Sequence, residues 1–295
     1  MKKIIIAIVA LGLAFTSASG KSRVSNGWPY SSITETDTIH SEVLGADRQF
    51  TIYLPAGYEK DTDRNYPVLY LLHGMSDTNV SWFEKHGLVP VADQLMASGE
   101  AQPMIIVSPN AGGDPAVEWN GYFDMPGWEY EKFFYDEFIP YIESAYRVKK
   151  GKEYRAISGL SMGGGGATSY AQRHPDMFSS AYAMSALMDI DAGNRIESAP
   201  DSKVALLTKA VKDKSCVGYV RDADEQTVDA LKSVAWYVDC GDDDFLLDYN
   251  LDFYKQMRAK GVPCQLRVRD GGHTSEYWRT ALYESLPFAS RNFGK

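Results

Sequence analysis

Two kinds of apolar pattern succeed one another along the chain. Near the amino end, 36–43 (TDTIHSEV) and 48–55 (RQFTIYLP) alternate apolar and polar residues around the short loop 44–47, which contains Gly45. Period-two alternation about such a loop predicts an antiparallel hairpin. Downstream the apolar runs are continuous: 67–74 (PVLYLLHG), 104–110, 154–159, 180–187, 234–241 and 265–272. Strands without polar alternation are buried on both faces, which predicts a mostly parallel sheet covered by helices.

Helical spacing fills the gaps at 88–98, 129–146, 161–174, 245–260 and 275–290. Within 129–146, Phe134, Phe138, Ile142 and Tyr146 recur every four residues as one apolar stripe, and Pro140 predicts a kink or an early end. Strand–helix alternation with no repeat or linker predicts one α/β domain over 35–295, with helices on both faces of the sheet. The segment 188–233 is longer and more polar than an ordinary crossover, with short helical stretches near 202–213 and 224–233. It reads as a helical insertion over the sheet edge, and long insertions in such folds often shape the substrate site. Residues 21–34 read as an irregular arm.

The first twenty residues stand apart from this pattern. Lys2 and Lys3 precede an apolar run from Ile4 to Phe15 and then the small residues Thr16 to Gly20. Basic start, short apolar core and small-residue end are the marks of a secretory signal peptide. About 12 apolar residues are too few for a helix to cross a ~30 Å hydrocarbon layer. The expectation is therefore export, with a secreted or periplasmic location and no membrane insertion after cleavage. Cleavage removes two lysines and no carboxylate, so the formal charge of −9 becomes −11. An acidic chain lacks the basic face that phosphate neutralisation needs, which argues against nucleic-acid partners.

Cys216, Cys240 and Cys264 are too few for a disulfide scaffold and lack the paired spacing of a zinc site. Cys240 falls at the carboxyl end of its strand and Cys264 at the amino end of the next. In a parallel sheet those ends lie ~15–20 Å apart, beyond the ~7 Å that a disulfide tolerates between Cα atoms. Cys216, in the 188–233 segment, could reach Cys240 but not obviously, so three free thiols are the expectation.

Candidate chemistry centres on Gly159-Leu160-Ser161-Met162-Gly163. A G-x-S-x-G pattern alone is weak, but this one follows a strand and opens a helix through Gly164, Gly165 and Gly166. Small residues relieve the crowding of a sharp strand-to-helix turn, which lifts the serine hydroxyl above the carboxyl edge of the sheet. The alternative is a tight turn in which Ser161 merely caps the helix. A nucleophilic serine needs a base, which follows it in sequence on this arrangement. Of five histidines, that leaves His174 and His273. His174 lies ~20 Å along the helix at 1.5 Å per residue, whereas His273 emerges after the last strand on the same edge as Ser161. The base needs an acid. Asp242, Asp243 and Asp244 follow the strand before it, and spacing does not choose among them; Asp189 and Asp191 are weaker alternatives. The acidic run lacks the spacing of a calcium loop, so no metal or cofactor is expected. Backbone N–H groups of Met162 and of Met75, in the loop His73-Gly74-Met75, are candidates for holding an oxyanion, with Gly74 N–H the alternative to Met75. His73 itself would orient that loop. Trp119, Tyr122 and Trp128, in or after the loop 110–123, are candidates for stacking on a substrate ring, or else pack beneath the loop.

These residues resemble the esterase D-like family of α/β-hydrolases, which includes bacterial feruloyl and acetylxylan esterases, S-formylglutathione hydrolases and mycolyltransferases. The resemblance runs from about residue 36 to 290 through IYLPAGY (52–58), YPVLYLLHG (66–74), FIPYIESAYRV (138–148), GLSMGGGGA (159–167), HPDMFSSA (174–181), CGDDDF (240–245) and GGHTSEYW (271–278). It implies an α/β-hydrolase fold and selects Asp244 as the acid, at the fifth position of the C-G-x-x-D element. It supports Ser161 as nucleophile and His273 as base. GGHTSEYW and the export signal look most like the secreted feruloyl and acetylxylan esterases. The implied function is release of feruloyl or acetyl groups from plant polysaccharides such as arabinoxylan, on small-molecule or polysaccharide esters. S-formylglutathione hydrolases are cytosolic, which the signal opposes. A mycolyltransferase needs a long lipid channel, for which the sequence has no sign. A carbohydrate- or lipid-binding relative without catalysis is the other class, and the complete set of nucleophile, base, acid and oxyanion donors weighs against it.

Overall fold

The computed structural model describes residues 15–16, 21–27, 30–113, 118–191 and 200–295. Most of the expected signal segment, 1–14 and 17–20, lies outside the described residues, as do 114–117 and 192–199.

Among the described residues twelve strands, in chain order, are β1 (Phe15–Thr16), β2 (Ser22–Ser25), β3 (Ile33–Ser41), β4 (Ala46–Leu54), β5 (Val68–Leu72), β6 (Ile105–Pro109), β7 (Asp124–Met125), β8 (Trp128–Glu129), β9 (Arg155–Leu160), β10 (Ser180–Met184), β11 (Ala235–Gly241) and β12 (Cys264–Arg269). Ten of them form one sheet in the order β1-β2-β3-β4-β6-β5-β9-β10-β11-β12, and β7 pairs with β8. Strands β6 through β12 in that order are parallel, and β1 to β4 join the edge antiparallel. This is the α/β-hydrolase arrangement. The hairpin closes at Ser41↔Ala46, so its loop is 42–45, with Gly45 at φ 59°. The arm is not wholly irregular, because Ser22–Ser25 pairs with β3. Lys21 and Arg23 fasten it to the buried Glu35 at 2.8 Å each.

Side chains of the inner strands alternate between two helical layers, as the pleat requires. Val68, Tyr70 and Leu72 face the core shared with helices 130–145, 162–173, 203–221 and 247–259. Leu69 and Leu71 face the core shared with Leu88–Ser98 and Ser275–Asn292. Phe134, Phe138, Ile142 and Tyr146 are all buried in the first core, as their spacing predicts. The helix runs on past Pro140 to Ala145. The turn before the proline, Phe134–Phe138, is π-helical, and the Ile139 N–H reaches back to Phe134 O. Widening the turn moves backbone carbonyls away from a proline ring that offers no N–H.

The segment 188–233 differs from the expected sheet-edge insertion. It is the crossover between the neighbouring parallel strands β10 and β11. Its helices are Lys203–Asp213, Cys216–Arg221 and Glu225–Lys232, and the middle one packs between helices 162–173 and 247–259. Buried Leu207, Val211, Cys216 and Val220 draw it onto that helical layer rather than over the edge. All three thiols are free. Cα partners across β11 and β12 are Trp236↔Cys264 and Cys240↔Val268, so two cysteines stand four residues apart along the sheet.

Candidate active site

Ser161 is the residue between β9 and the helix Met162–Arg173, and its backbone is held at φ 53°, ψ −120°. A non-glycine residue there is strained, and the surroundings over-determine it. Ser161 N–H donates to Met184 O at 2.9 Å, and Ser161 O accepts from Leu187 N–H at 2.9 Å and Gly165 N–H at 3.1 Å. The flanking glycines of the motif are steric necessities. A Cβ on Gly159 would lie 2.4 Å from Gly163 O, and one on Gly163 would lie 2.5 Å from the carbonyl oxygens of Leu72 and His73.

The other residues come from two loops stapled together at the carboxyl edge. Asp242 N–H donates to Arg269 O at 3.1 Å, Asp243 N–H to Gly271 O at 3.1 Å, and Gly271 N–H to Asp242 Oδ1 at 3.0 Å. The approach is so close that a Cβ on Gly241 would sit 1.9 Å from Gly271 O. It aligns a continuous series. His273 Nε2 is 3.0 Å from Ser161 Oγ, and His273 Nδ1 is 2.9 Å from Asp244 Oδ2 and 3.1 Å from Oδ1. Asp244 Oδ1 also accepts Leu246 N–H at 2.9 Å. Burial would raise the Asp244 pKa, but the bonds from His273 and Leu246 outweigh it and hold the carboxyl below its ordinary range. Of the other acids, Asp242 and Asp243 are exposed. Asp189 is engaged by Lys212 at 3.2 Å and Ser215 at 2.5 Å. Asp191 lines the cleft and donates its N–H to Tyr249 Oη at 3.1 Å. His174 lies toward Glu131, at 3.8 Å.

The loop after β5 rests on Ser161, since a Cβ on Gly74 would lie 3.6 Å from Ser161 Cβ. His73 is fully buried and fixes the loop's orientation. Ala111 N–H donates to Nε2 at 3.0 Å, so the ring proton is on Nδ1, which donates to Gly74 O at 2.8 Å. Burial pushes His73 down to about 4 despite that bond, so it stays neutral. Because a trans peptide directs C=O and N–H oppositely, tying Gly74 O to His73 turns the Met75 N–H away from it. Met162 opens its helix, where first-turn N–H groups have no intrahelical acceptor.

A cleft of about 680 Å³ opens over Ser161. Leu187, Ile190, Phe245, Leu246, Tyr249 and Trp278 give it an apolar wall, and Asp77 with Lys85 a polar one. Trp119, Tyr122 and Trp128 are not among the described residues lining it. Tyr122 is fully buried and donates to His73 O at 3.0 Å, Trp128 is buried with Nε1 donating to Gly121 O at 2.9 Å, and Trp119 stacks on Trp128. Tyr122 and Trp128 thus spend their polar atoms on backbone carbonyls, and Trp119 is held against Trp128.

Sequence reading misses several residues here. Phe245 and Trp278 contact the His273 ring, with centroids 4.6 and 4.9 Å away. Both fall inside motifs quoted above, CGDDDF and GGHTSEYW, which were the available signal. Asp77, Lys85 and His86 carried none beyond their residue types.

A family model described as "Putative esterase" matches residues 41–289. An endo-1,4-beta-xylanase/feruloyl esterase of Xylanibacter ruminicola is 35% identical over 144 residues, 48% of this chain but 20% of that protein. The chain thus spans about a fifth of that relative's length. Among solved structures, a ferulic acid esterase is 58% identical with TM-score 0.86, covering 90% of this chain and 100% of that one. A ferulic acid esterase of Anaeromyces mucronatus, solved with ferulic acid, is 20% identical with TM-score 0.70, covering 91% of this chain and 93% of that one; at that identity it speaks to fold alone.

Proposed function

The chain belongs to the esterase family, and from that premise we propose that this carboxylic ester hydrolase releases feruloyl-type aromatic acids from plant polysaccharides outside the cytoplasm, through an acyl-enzyme on Ser161. The observation that carries the reading is the Asp244–His273–Ser161 series at the floor of a cleft with an apolar, partly aromatic wall. As Ser161 Oγ attacks the ester carbonyl carbon, its proton passes to His273 Nε2, and Asp244 stabilises the imidazolium. The N–H groups of Met75 and Met162 donate to the oxyanion. The intermediate collapses by breaking the bond to the alcohol oxygen, which takes the proton from His273. Water then attacks the acyl-enzyme, gives its proton to His273, and the freed acid leaves as Ser161 is reprotonated.

An aromatic acyl group suits the wall of Leu187, Ile190, Leu246, Tyr249 and Trp278, whereas an acetyl group would leave most of the cleft unfilled. The 58% identical ferulic acid esterase supports the same choice. Export rests on residues 1–20 as a signal peptide, and no helix among the described residues is long and apolar enough to cross a membrane. The test is a comparison of methyl ferulate with methyl acetate, which differ in the acyl group alone. The reading expects kcat/KM at least about tenfold higher for the ferulate ester, the ratio given by ~1.4 kcal/mol of differential transition-state binding. The reverse order would make the enzyme an acetyl esterase.

A further inference from the structure

The position of Phe245 is hard to explain by folding. It is 73% exposed, the most exposed of the large apolar side chains that face solvent among the described residues. Its backbone is nonetheless fixed on both sides: Asp244 N–H donates to Gly241 O at 3.3 Å, and Leu246 N–H donates to Asp244 Oδ1 at 2.9 Å. The ring lies 4.6 Å from the His273 ring at 49°, on the cleft that Ser161 opens into. A solvent-facing phenyl group pinned beside the base offers apolar surface that a ligand in the cleft can cover.

The chemistry of His273 says which part of the substrate arrives there. His273 Nε2 hands its proton to the departing alcohol oxygen, so the alcohol, not the acyl group, comes to the His273 side. We propose that Phe245 is the platform of a leaving-group subsite that takes the sugar ring bearing the ester. The apolar C–H face of a pyranose or furanose ring covers an aromatic face without stranding its hydroxyls. Lys85, 58% exposed at its side chain and 2.8 Å from Asp77, lines the same cleft with ammonium donors to spare for those hydroxyls. The inference rests on the feruloyl-esterase reading above and adds the site that recognises the glycan.

The test holds the acyl group constant and changes the alcohol. Hydrolysis of methyl ferulate and of a feruloylated arabinose oligosaccharide is measured for wild type, Phe245→Ala and Phe245→Trp. Phe245→Ala should lose about tenfold in kcat/KM on the sugar ester, chiefly through KM, the ratio that a stacked contact of ~1.4 kcal/mol gives. Whatever Phe245→Ala loses on methyl ferulate through its contact with His273, the sugar ester should lose about tenfold more, and Phe245→Trp should restore the ratio between the two esters. An equal fall on both esters would mean that Phe245 only supports His273, and no fall on either would mean that it touches nothing; either result overturns the inference alone. A wild type that cleaves neither ester overturns the feruloyl reading beneath it.

Discussion

His86 Nε2 lies 3.0 Å from Asp77 Oδ2, and its Nδ1 lies 2.7 Å from Ser275 Oγ, so one fully buried imidazole ties the loop carrying Met75 to the helix that follows His273. Ser275 Oγ in turn donates to Lys85 O at 3.0 Å. The Trp278 ring stands nearly perpendicular to both histidines, 5.3 Å from His86 and 4.9 Å from His273. The two loops that must meet over the ester carbonyl are thereby fixed to each other. Replacing His86 with Leu would leave buried Asp77 with the partly exposed Lys85 and cut the tie to Ser275, a loss of up to about 3 kcal/mol for one partner of a buried pair. The expected outcome is a clearly lowered thermal midpoint, read by calorimetry, together with a fall in kcat.

The same pair gives a stability signature in acid. Burial alone would raise the Asp77 pKa, but hydrogen bonds from His86 and Lys85 carry it from 3.8 down to about 2. A carboxyl more acidic in the folded state than in the unfolded one stabilises the fold above 3.8 and loses that contribution as pH falls through about 2. The gap in unfolding free energy between wild type and Asp77→Asn should therefore narrow from pH 5 to pH 2 in denaturant titrations. A constant gap would contradict the assignment.

Gly163→Ala sets two effects against each other. Alanine in a helix interior is favoured over glycine by about 1 kcal/mol, but here its Cβ would sit 2.5 Å from two backbone carbonyl oxygens. Overpacking of this kind typically costs about 1–3 kcal/mol, and the neighbours are backbone that cannot rotate aside. The substitution should destabilise the protein and reduce kcat, checked by denaturation and steady-state rates on one ester. A stabilised, fully active variant would contradict the close approach.

In the proposed mechanism His73 acts on the reaction through the Gly74 carbonyl, so His73→Asn should lower kcat with little change in KM. Loss of one oriented oxyanion donor costs about 10²–10³ in kcat. The kcat and KM split on 4-nitrophenyl acetate, compared with the melting temperature, separates that loss from simple unfolding.

Much of this was legible in the sequence because strand direction is. Once β9, β11 and β12 are read as parallel, Ser161, Asp244 and His273 must all emerge on one edge. Choosing Asp244 over Asp242 and Asp243 was beyond spacing, since what separates them is the Leu246 N–H and the stapling of two loops. His86 was invisible because its partners Asp77 and Ser275 lie 9 and 189 residues away. Trp119, Tyr122 and Trp128 show the converse limit. Their place at the carboxyl edge was readable, but whether an aromatic ring there faces a substrate or a neighbouring backbone depends on what folds over it. The π-turn before Pro140 is of the same kind, a local accommodation to which the apolar stripe is indifferent.

The central claim is that Ser161 is the nucleophile that Asp244 and His273 activate. Diisopropyl fluorophosphate, followed by peptide mass mapping and residual activity on methyl ferulate, tests it directly. The account predicts one phosphoryl adduct on the peptide bearing Ser161, formed in step with loss of activity, and absent in Ser161→Ala, whose turnover should be lower by about 10⁵–10⁶. An adduct on another residue, or a Ser161→Ala variant that keeps its activity, would contradict it.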